Sequence, residues 1–355
     1  MVLSKIHEIS KSKINNSAIL LSNNKKHSKA EIDEALEIIN SWKSKHSYPL
    51  QVFKNRLKRV SEKIDKNALS AQRLKRISSI LKKLNRSYDG TKPTMKVTQM
   101  QDIAGCRVVM SDIKLVRLLY EKYYSNGNIK HKKINIKDYI SSPKLDGYRS
   151  IHLVYKYTSD KGKQEYNGLL VEVQIRSKLQ HLWATAVETV DFFTRQAIKS
   201  NQGEESWKTF FKLVSSAFAR FENSPIVSQT PFNEKELYLQ IKKLEQRLQV
   251  RQKMQQWMKS IKYFDDFKKK KNIQFYLLEL DTVLNRLNIS AFTKKEEKKA
   301  LKAYSDAENK IYNRNEYDVV LVSADTISDL KKAYPNYFLD TKDFLRYLDR
   351  ILNKY

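Results

Sequence analysis

The chain has 355 residues, with 68 Lys+Arg against 39 Asp+Glu, a formal net charge of +29 and 41% hydrophobic residues. Such a composition excludes a disordered chain, and Cys106 as the single cysteine excludes a disulfide framework. The charge calls for a polyanion, RNA or DNA before an acidic membrane face, unless Lys and Asn are merely inflated at solvated positions.

Met1–Leu20 is polar and amphipathic, without the apolar stretch of a secretory signal, and no run is long enough to span a bilayer. A cytoplasmic location in a reducing compartment is expected, with no membrane partner. The seven glycines run from Gly90 to Gly203. The flanks 1–89 and 204–355 therefore read as mainly helical, and the middle as mixed α/β.

Residues 29–86 carry helical spacing, in Ile32, Leu36, Ile39 and Trp42 and then Leu74, Ile77, Ile80, Leu81 and Leu84. Strands are predicted at 106–110, 150–157 and 169–175; in the last, Glu172, Gln174 and Arg176 alternate away from the apolar face. Helices follow over 179–197 and 204–221. Asn223–Asn233, with Pro225 and Pro231, reads as a linker and candidate hinge, and 234–271 as one long basic helix ending in Lys268–Lys271. The C-terminal unit reads strand 273–280, helix 294–312, strand 318–322, then helices 326–333 and 341–352. The expected division is an N-terminal helical part (1–68), a core (69–222), a linker with its long helix (223–271) and a small C-terminal domain (272–355).

Four blocks carry chemistry. In the first, Lys75, Ser79 and Lys83 fall one helical turn apart with Arg73 and Arg76 beside them, a stack of cations that wants an anion such as a triphosphate. Alone, it reads first as a solvated basic face. The second block is Asp102 with Gly105 and Arg107, at the mouth of a strand. The third runs from Asp138 through Lys144, Asp146, Gly147, Tyr148 and Arg149 to His152, and the fourth is Glu172, Gln174 and Arg176. Acids on two strands of one sheet can clamp Mg²⁺, and Tyr148 offers a flat ring to a base. Singly, Asp102 could be a helix N-cap, and Tyr148 and His152 ordinary strand residues. Order and spacing favour the functional reading.

Together the four blocks resemble the RelA/SpoT synthetase domain over about residues 69–190. The resemblance implies an α+β fold, a nucleotidyltransferase-like mixed sheet flanked by helices. It implies that ATP donates its β,γ-pyrophosphate to a 3′-hydroxyl and AMP leaves. Arg73, Lys75, Ser79, Lys83 and Arg107 would hold ATP; Asp102 and Glu172 would hold Mg²⁺, and Glu172 would bind or activate the hydroxyl. Lys144, Asp146, Tyr148, Arg149, His152, Gln174 and Arg176 would serve the acceptor.

Two departures refine this reading. Asp146 stands where alarmone makers usually have Asn, and His181–Thr189 resembles the toxic small alarmone synthetases, several of which resemble tRNA pyrophosphokinases acting on the CCA end. The basic charge fits tRNA, with Lys25-Lys26, Lys43/Lys45, Arg56/Lys58/Arg59 and Lys130–Lys133 as candidate tracks. The whole chain resembles a CapRel-type fused toxin–antitoxin, in which a C-terminal pseudo-zinc-finger of βαβα order places a Tyr-x-x-Tyr motif over the ATP site. Tyr334 and Tyr337 are the candidates, although they could simply cover a helix end. No zinc is expected there, because 272–355 holds no Cys or His.

The resemblance names a phage structural, capsid-like protein as the trigger. The competing readings are an alarmone synthetase acting on free GDP, GTP or adenine nucleotides, and an inactive RNA-binding protein. No His-Asp hydrolase cluster precedes the core, and the oligomeric state is not legible.

Overall fold

The computed structural model describes residues 9–23, 27–86, 95–125, 127, 129–194, 204–260, 262–265, 272–281, 283–311, 317–324, 326–338 and 340–355; for 260 and 262–265 it describes the backbone alone. Three helices come first: α1 (Lys11–Ser22), α2 (Lys29–Lys45) and α3 (Ser47–Glu62). The start of α2 is fixed by a reciprocal cap. Ser28 accepts from the Glu31 amide, and the Glu31 carboxylate accepts from the Ser28 amide.

The helical spacing expected through residue 86 is interrupted. Leu69–Leu74 is a strand, β1, and only Ile77–Leu84 forms a helix, α4. Pairing overrides the pattern here. β1 lies between β2 (Ala104–Met110) and a C-terminal strand, β9 (Tyr317–Ser323), antiparallel to both. Its ladder groups are thus engaged on both sides, which a short helix could not match.

β2 pairs in parallel with β5 (Leu170–Ser177), which pairs antiparallel with β4 (Ile151–Lys156). Beyond them the edge strand is β3 (Lys132–Asp138), antiparallel to β4. The strand list from sequence omits β3 because its lysines read as a basic tract. Lysine on an edge strand also discourages pairing with another chain. α5 (Ile113–Leu119) joins β2 to this edge, and α6 (Lys178–Thr194) and α7 (Glu205–Phe221) follow β5.

The single helix expected over 234–271 is broken. α8 (Glu234–Leu248) ends where Gln249 turns left-handed at φ 54°, and α9 (Val250–Ser260) leads into a short strand, β6 (Lys262–Asp265). The turn lets Leu248 and Val250 both pack inward. Lys268–Lys271 lie outside the described residues. The expected linker is no free hinge: Val227 is buried, and its amide donates to Ser216 Oγ at 3.0 Å.

The C-terminal unit contains a strand that the βαβα expectation lacked. β7 (Ile273–Asp281) and β8 (Arg286–Thr293) form a hairpin, followed by α10 (Glu297–Lys310), β9, α11 (Ile327–Ala333) and α12 (Lys342–Leu352). Its turn uses no glycine. Asn285 takes the left-handed position at φ 49°, and Asp281 accepts from the Val283 and Leu284 amides. A search for glycine turns passes over it.

Among the described residues the strands form one sheet in the order β3-β4-β5-β2-β1-β9-β7-β8-β6. The C-terminal unit is therefore an extension of the sheet built by β1–β5 and not a separate body beside it. One face, the back, buries Leu74, Val108, Leu153, Val171 and Val173 with Leu50, Phe53 and Leu57 of α3, and the same cluster takes in Phe275, Leu277, Tyr304, Val319 and Leu321. Each large apolar side chain in such a cluster stabilises by about 1.5–3 kcal/mol. Strand alternation then sends Arg73, Arg107, His152, Glu172, Gln174 and Arg176 to the other, front face. No helix of the described residues is long and apolar enough to cross a membrane.

Candidate active site

The front face divides into two halves. One half is built around the turn before β4. Asp146 Oδ1 accepts from the Tyr148 amide at 2.9 Å, so its carboxylate shapes the turn. Gly147 has φ +92°, and a Cβ there would lie 2.9 Å from the Trp183 ring and 3.0 Å from Ser215 Cβ. Only glycine fits that approach.

Five side chains beyond this turn close a ring of hydrogen bonds. Tyr148 Oη lies 2.7 Å from His152 Nε2, and His152 Nδ1 lies 2.9 Å from Glu172 Oε1. Gln174 Nε2 donates to Glu172 Oε2 at 2.6 Å, and Arg176 donates to Gln174 Oε1 at 2.8 Å and to Tyr148 Oη at 2.6 Å. Both ring nitrogens of His152 are thus engaged, Nδ1 by Glu172 and Nε2 by Tyr148. Burial pushes the Glu172 carboxyl up, but the His152 hydrogen bond and charge outweigh it and hold Glu172 below the ordinary range. Lys144 Nζ lies 4.6 Å from the Tyr139 ring centre and 5.2 Å from that of Tyr148. Tyr148 is thus held by its hydroxyl and flanked by cations.

Arg149 is a correction. It is 4% exposed and lies behind the turn, in a small cavity shared with Gln180, Trp183, Phe218 and Glu222. A guanidinium buried there does not reach the ring of Tyr148, His152, Glu172, Gln174 and Arg176.

In the other half, Lys75 and Lys83 donate to the two oxygens of Asp102, at 2.8 and 2.9 Å. Lys75 sits between β1 and α4, so the two ammonium groups reach Asp102 from a loop and a helix, and not from one helical stack. Ser79 is half-buried on α4. Burial raises the Asp102 carboxyl, but the lysines outweigh it and pull its pKa to about 2. The N-cap alternative for Asp102 falls away, because β2 follows it. Asp102 and Glu172 feel each other: the Asp102 charge raises the Glu172 pKa against the stronger pull of His152.

The C-terminal unit occupies this second half. Tyr334 and Tyr337 are 4% and 2% exposed. Tyr334 Oη donates to the Gln72 carbonyl at 2.8 Å, and the Arg107 guanidinium lies 5.5 Å from its ring centre. Arg107 also donates to the Ala333 carbonyl at the end of α11, and His181 Nε2 lies 3.2 Å from the Lys332 carbonyl. Burial is the main cause that lowers the Arg107 pKa, to about 10. Tyr337 Oη donates to Asp318 Oδ2 at 3.1 Å, and Asp318 pairs with Arg76. Arg73 is exposed on this face, in the field of Glu188, Tyr337 and Tyr334.

The basic tracks separate. Lys25-Lys26 lie outside the described residues. Lys43 is 1% exposed and paired with Glu308, so it cannot follow a nucleic acid. Lys58 and Arg59 belong to α3, on the back. Lys130, Lys132 and Lys133 are exposed at the β3 edge, next to the strand that bears His152.

Residues 72–192 match the model of the region found in RelA / SpoT proteins. The site just described lies in that stretch, apart from the C-terminal contacts. The chain is similar to the GTP pyrophosphokinase YjbM of Bacillus subtilis (strain 168), 32% identical over 120 residues, which cover 34% of this chain and 54% of that protein. It is also similar to the GTP pyrophosphokinase YwaC of the same organism, 26% identical over 166 residues, 43% of this chain and 76% of that one. The chain thus spans about half the length of the first relative (54%). Among solved structures it is similar to the small alarmone synthetase 1 from Bacillus subtilis bound to its product pppGpp, with 25% identity, TM-score 0.43 and coverage of 50% of this chain and 90% of that one. The small alarmone synthetase 2 from Bacillus subtilis gives 21% identity, TM-score 0.41 and coverage of 50% and 90%.

Sequence reasoning missed Asp318, Glu222 and Glu308, all buried acids of the functional face or its supports. Their partners are far away in the chain, so no local motif marks them.

Proposed function

We propose that the chain is a RelA/SpoT-type pyrophosphokinase that moves pyrophosphate from ATP to the 3′-hydroxyl of the tRNA CCA end and is held closed by its own C-terminal unit. The observation that carries this reading is the pair of ionised carboxylates, Asp102 clamped by Lys75 and Lys83 and Glu172 set in its ring, on one sheet face.

In the reaction, the acceptor oxygen bonds to the β-phosphorus, the bond from that phosphorus to the α,β-bridging oxygen breaks, and AMP leaves. Such transfer is mainly positioning and charge neutralisation. Arg73, Lys75 and Lys83 would take the triphosphate, and Ser79 would add a hydroxyl donor. Glu172, held ionised below its ordinary range, is suited to orient the acceptor hydroxyl more than to act as a strong base. Tyr148 would stack on the acceptor base.

Asp102 and Glu172 supply hard oxygens for Mg²⁺, and phosphates with water would complete the shell; this fits an ion that arrives with its nucleotide. The ion would neutralise phosphate charge. Among the described residues no group of three His, Cys, Asp or Glu could hold a metal without substrate.

The closed state rests on Tyr334 covering Arg107 and Tyr337 tying Asp318 beside Arg76. Opening by a phage capsid-like protein, as a defence that stops translation, follows from the CapRel resemblance. The charge of +29 and the β3 lysines favour tRNA. The relatives' names favour the other reading, a guanosine nucleotide as acceptor.

The deciding test uses full-length protein, wild type and Tyr337→Ala, with ATP labelled in its terminal phosphates. Bulk tRNA, tRNA stripped of CCA, GDP and GTP are offered separately. Label on intact tRNA alone establishes the reading. Label on GDP or GTP alone replaces it with an alarmone synthetase, and binding of tRNA without any transfer leaves only an RNA-binding protein.

A further inference from the structure

α4 carries Ser79 and Lys83, yet it has only eight residues and no side-chain cap from its own N-cap residue, Arg76. A helix that short does not hold itself, and its first amides need partners. The partner comes from the far end of the chain. Glu308 of α10, 6% exposed, accepts from the Ile77 amide with Oε1 at 2.9 Å. Its other oxygen pairs with Lys43 of α2, itself 1% exposed and 4.6 Å from the Tyr304 ring centre. The neighbouring Asn309 accepts from Asn40 at 3.2 Å. Arg76, the residue before the helix, pairs with Asp318 of β9.

We infer that Glu308 is a positioning residue of the donor half: it caps α4 and fixes where Ser79 and Lys83 stand. The inference rests on the reading of α4 as an ATP-binding helix. A carboxylate at a helix N-terminus satisfies an amide and complements the dipole. Lys43 neutralises that carboxylate where water cannot reach it.

The C-terminal unit then has two opposite parts. α11 and its tyrosines cover the donor half from the front. α10 and β9 build it from behind. Opening the site moves α11 and leaves α10 and β9 in place, and a chain cut before β7 loses its donor half along with its plug.

The test separates cap from charge in full-length protein, in wild type and in the Tyr337→Ala background. Lys43→Met with Glu308→Gln keeps an acceptor for the Ile77 amide and leaves no orphan charge. Lys43→Met with Glu308→Leu removes the acceptor. Equilibrium ATP titration, KM for ATP, KM for the acceptor, kcat and hydrogen exchange at the Ile77 amide are compared. The expected result is faster Ile77 exchange and about tenfold weaker ATP binding in the Leu double variant, acceptor KM unchanged, and recovery in the Gln double variant. Equal ATP affinity in the two double variants overturns the inference. So does a loss spread evenly over both KM values and kcat, which marks a general loss of fold. If no form binds ATP while Ile77 exchange still responds, the cap stands, but α4 is not a donor helix and the inference falls together with that reading.

Discussion

The two halves of the front face are built from different parts of the chain. The half proposed to take the acceptor closes on itself: Tyr148, His152, Glu172, Gln174 and Arg176 hydrogen-bond one another within 29 residues of sequence, on β4, β5 and the turn before them. The half proposed to take the donor does not. Arg76 leans on Asp318, Ile77 on Glu308, and Arg107 on Tyr334 and Ala333. A contact from the C-terminal unit therefore reaches the donor side first. On the proposed reading, a switch that blocks ATP leaves the acceptor side assembled, and a state gap of a few kcal/mol suffices for it.

The largest effect should come from the self-contained half. Glu172→Gln breaks the ring at its only acid and should lower kcat for label transfer by about 10²–10⁴-fold, and Tyr148→Ala should abolish toxicity in cells. Normal activity in either variant would remove the site assignment.

Next comes the dependence of the donor half on the C-terminal unit. Cutting the chain after residue 271 removes the β9 partner of β1 and uncovers the back-face cluster. The product should aggregate or melt well below the full chain in a thermal scan. A soluble, cooperative and active fragment would show that the halves are equally independent.

A smaller effect is expected at the plug. Tyr337→Ala should raise transfer about 5–150-fold, the range of a coupling of about 1–3 kcal/mol, and make the full-length protein toxic without a trigger. Tolerance of this variant by cells would argue that the tyrosines only cover a helix end.

The smallest effect is in acid. Asp102 is depressed from 3.8 to about 2, so its stabilisation is fully present above about pH 4 and is lost as pH falls through 2. A shift of that size corresponds to on the order of 2 kcal/mol. Asp102→Asn should flatten the stability profile between about pH 4 and 2, measured by urea unfolding; an unchanged slope would mean the lysines do not hold it.

The acceptor half was legible in sequence because its members are close together and alternate on strands. Glu172, Gln174 and Arg176 share a face by strand period alone. Arg149 was misplaced for the same reason: it sits in the motif, but its side chain is buried among residues of α6 and α7. Lys43 passed for a surface cation because composition cannot distinguish a buried lysine from a solvated one.

By itself the sequence determined the order of the chemical blocks, the strands with clear alternation and the glycine-dependent turn, since these follow from residues a few positions apart. Only the tertiary structure decided that β1 is a strand, that α4 is capped by Glu308, and that Tyr334 meets Arg107. The last two join residues separated by more than two hundred positions, and β1 is held by β2 about thirty to forty positions on and by β9 at the far end of the chain. Backbone pairing and burial, which no local pattern encodes, select them.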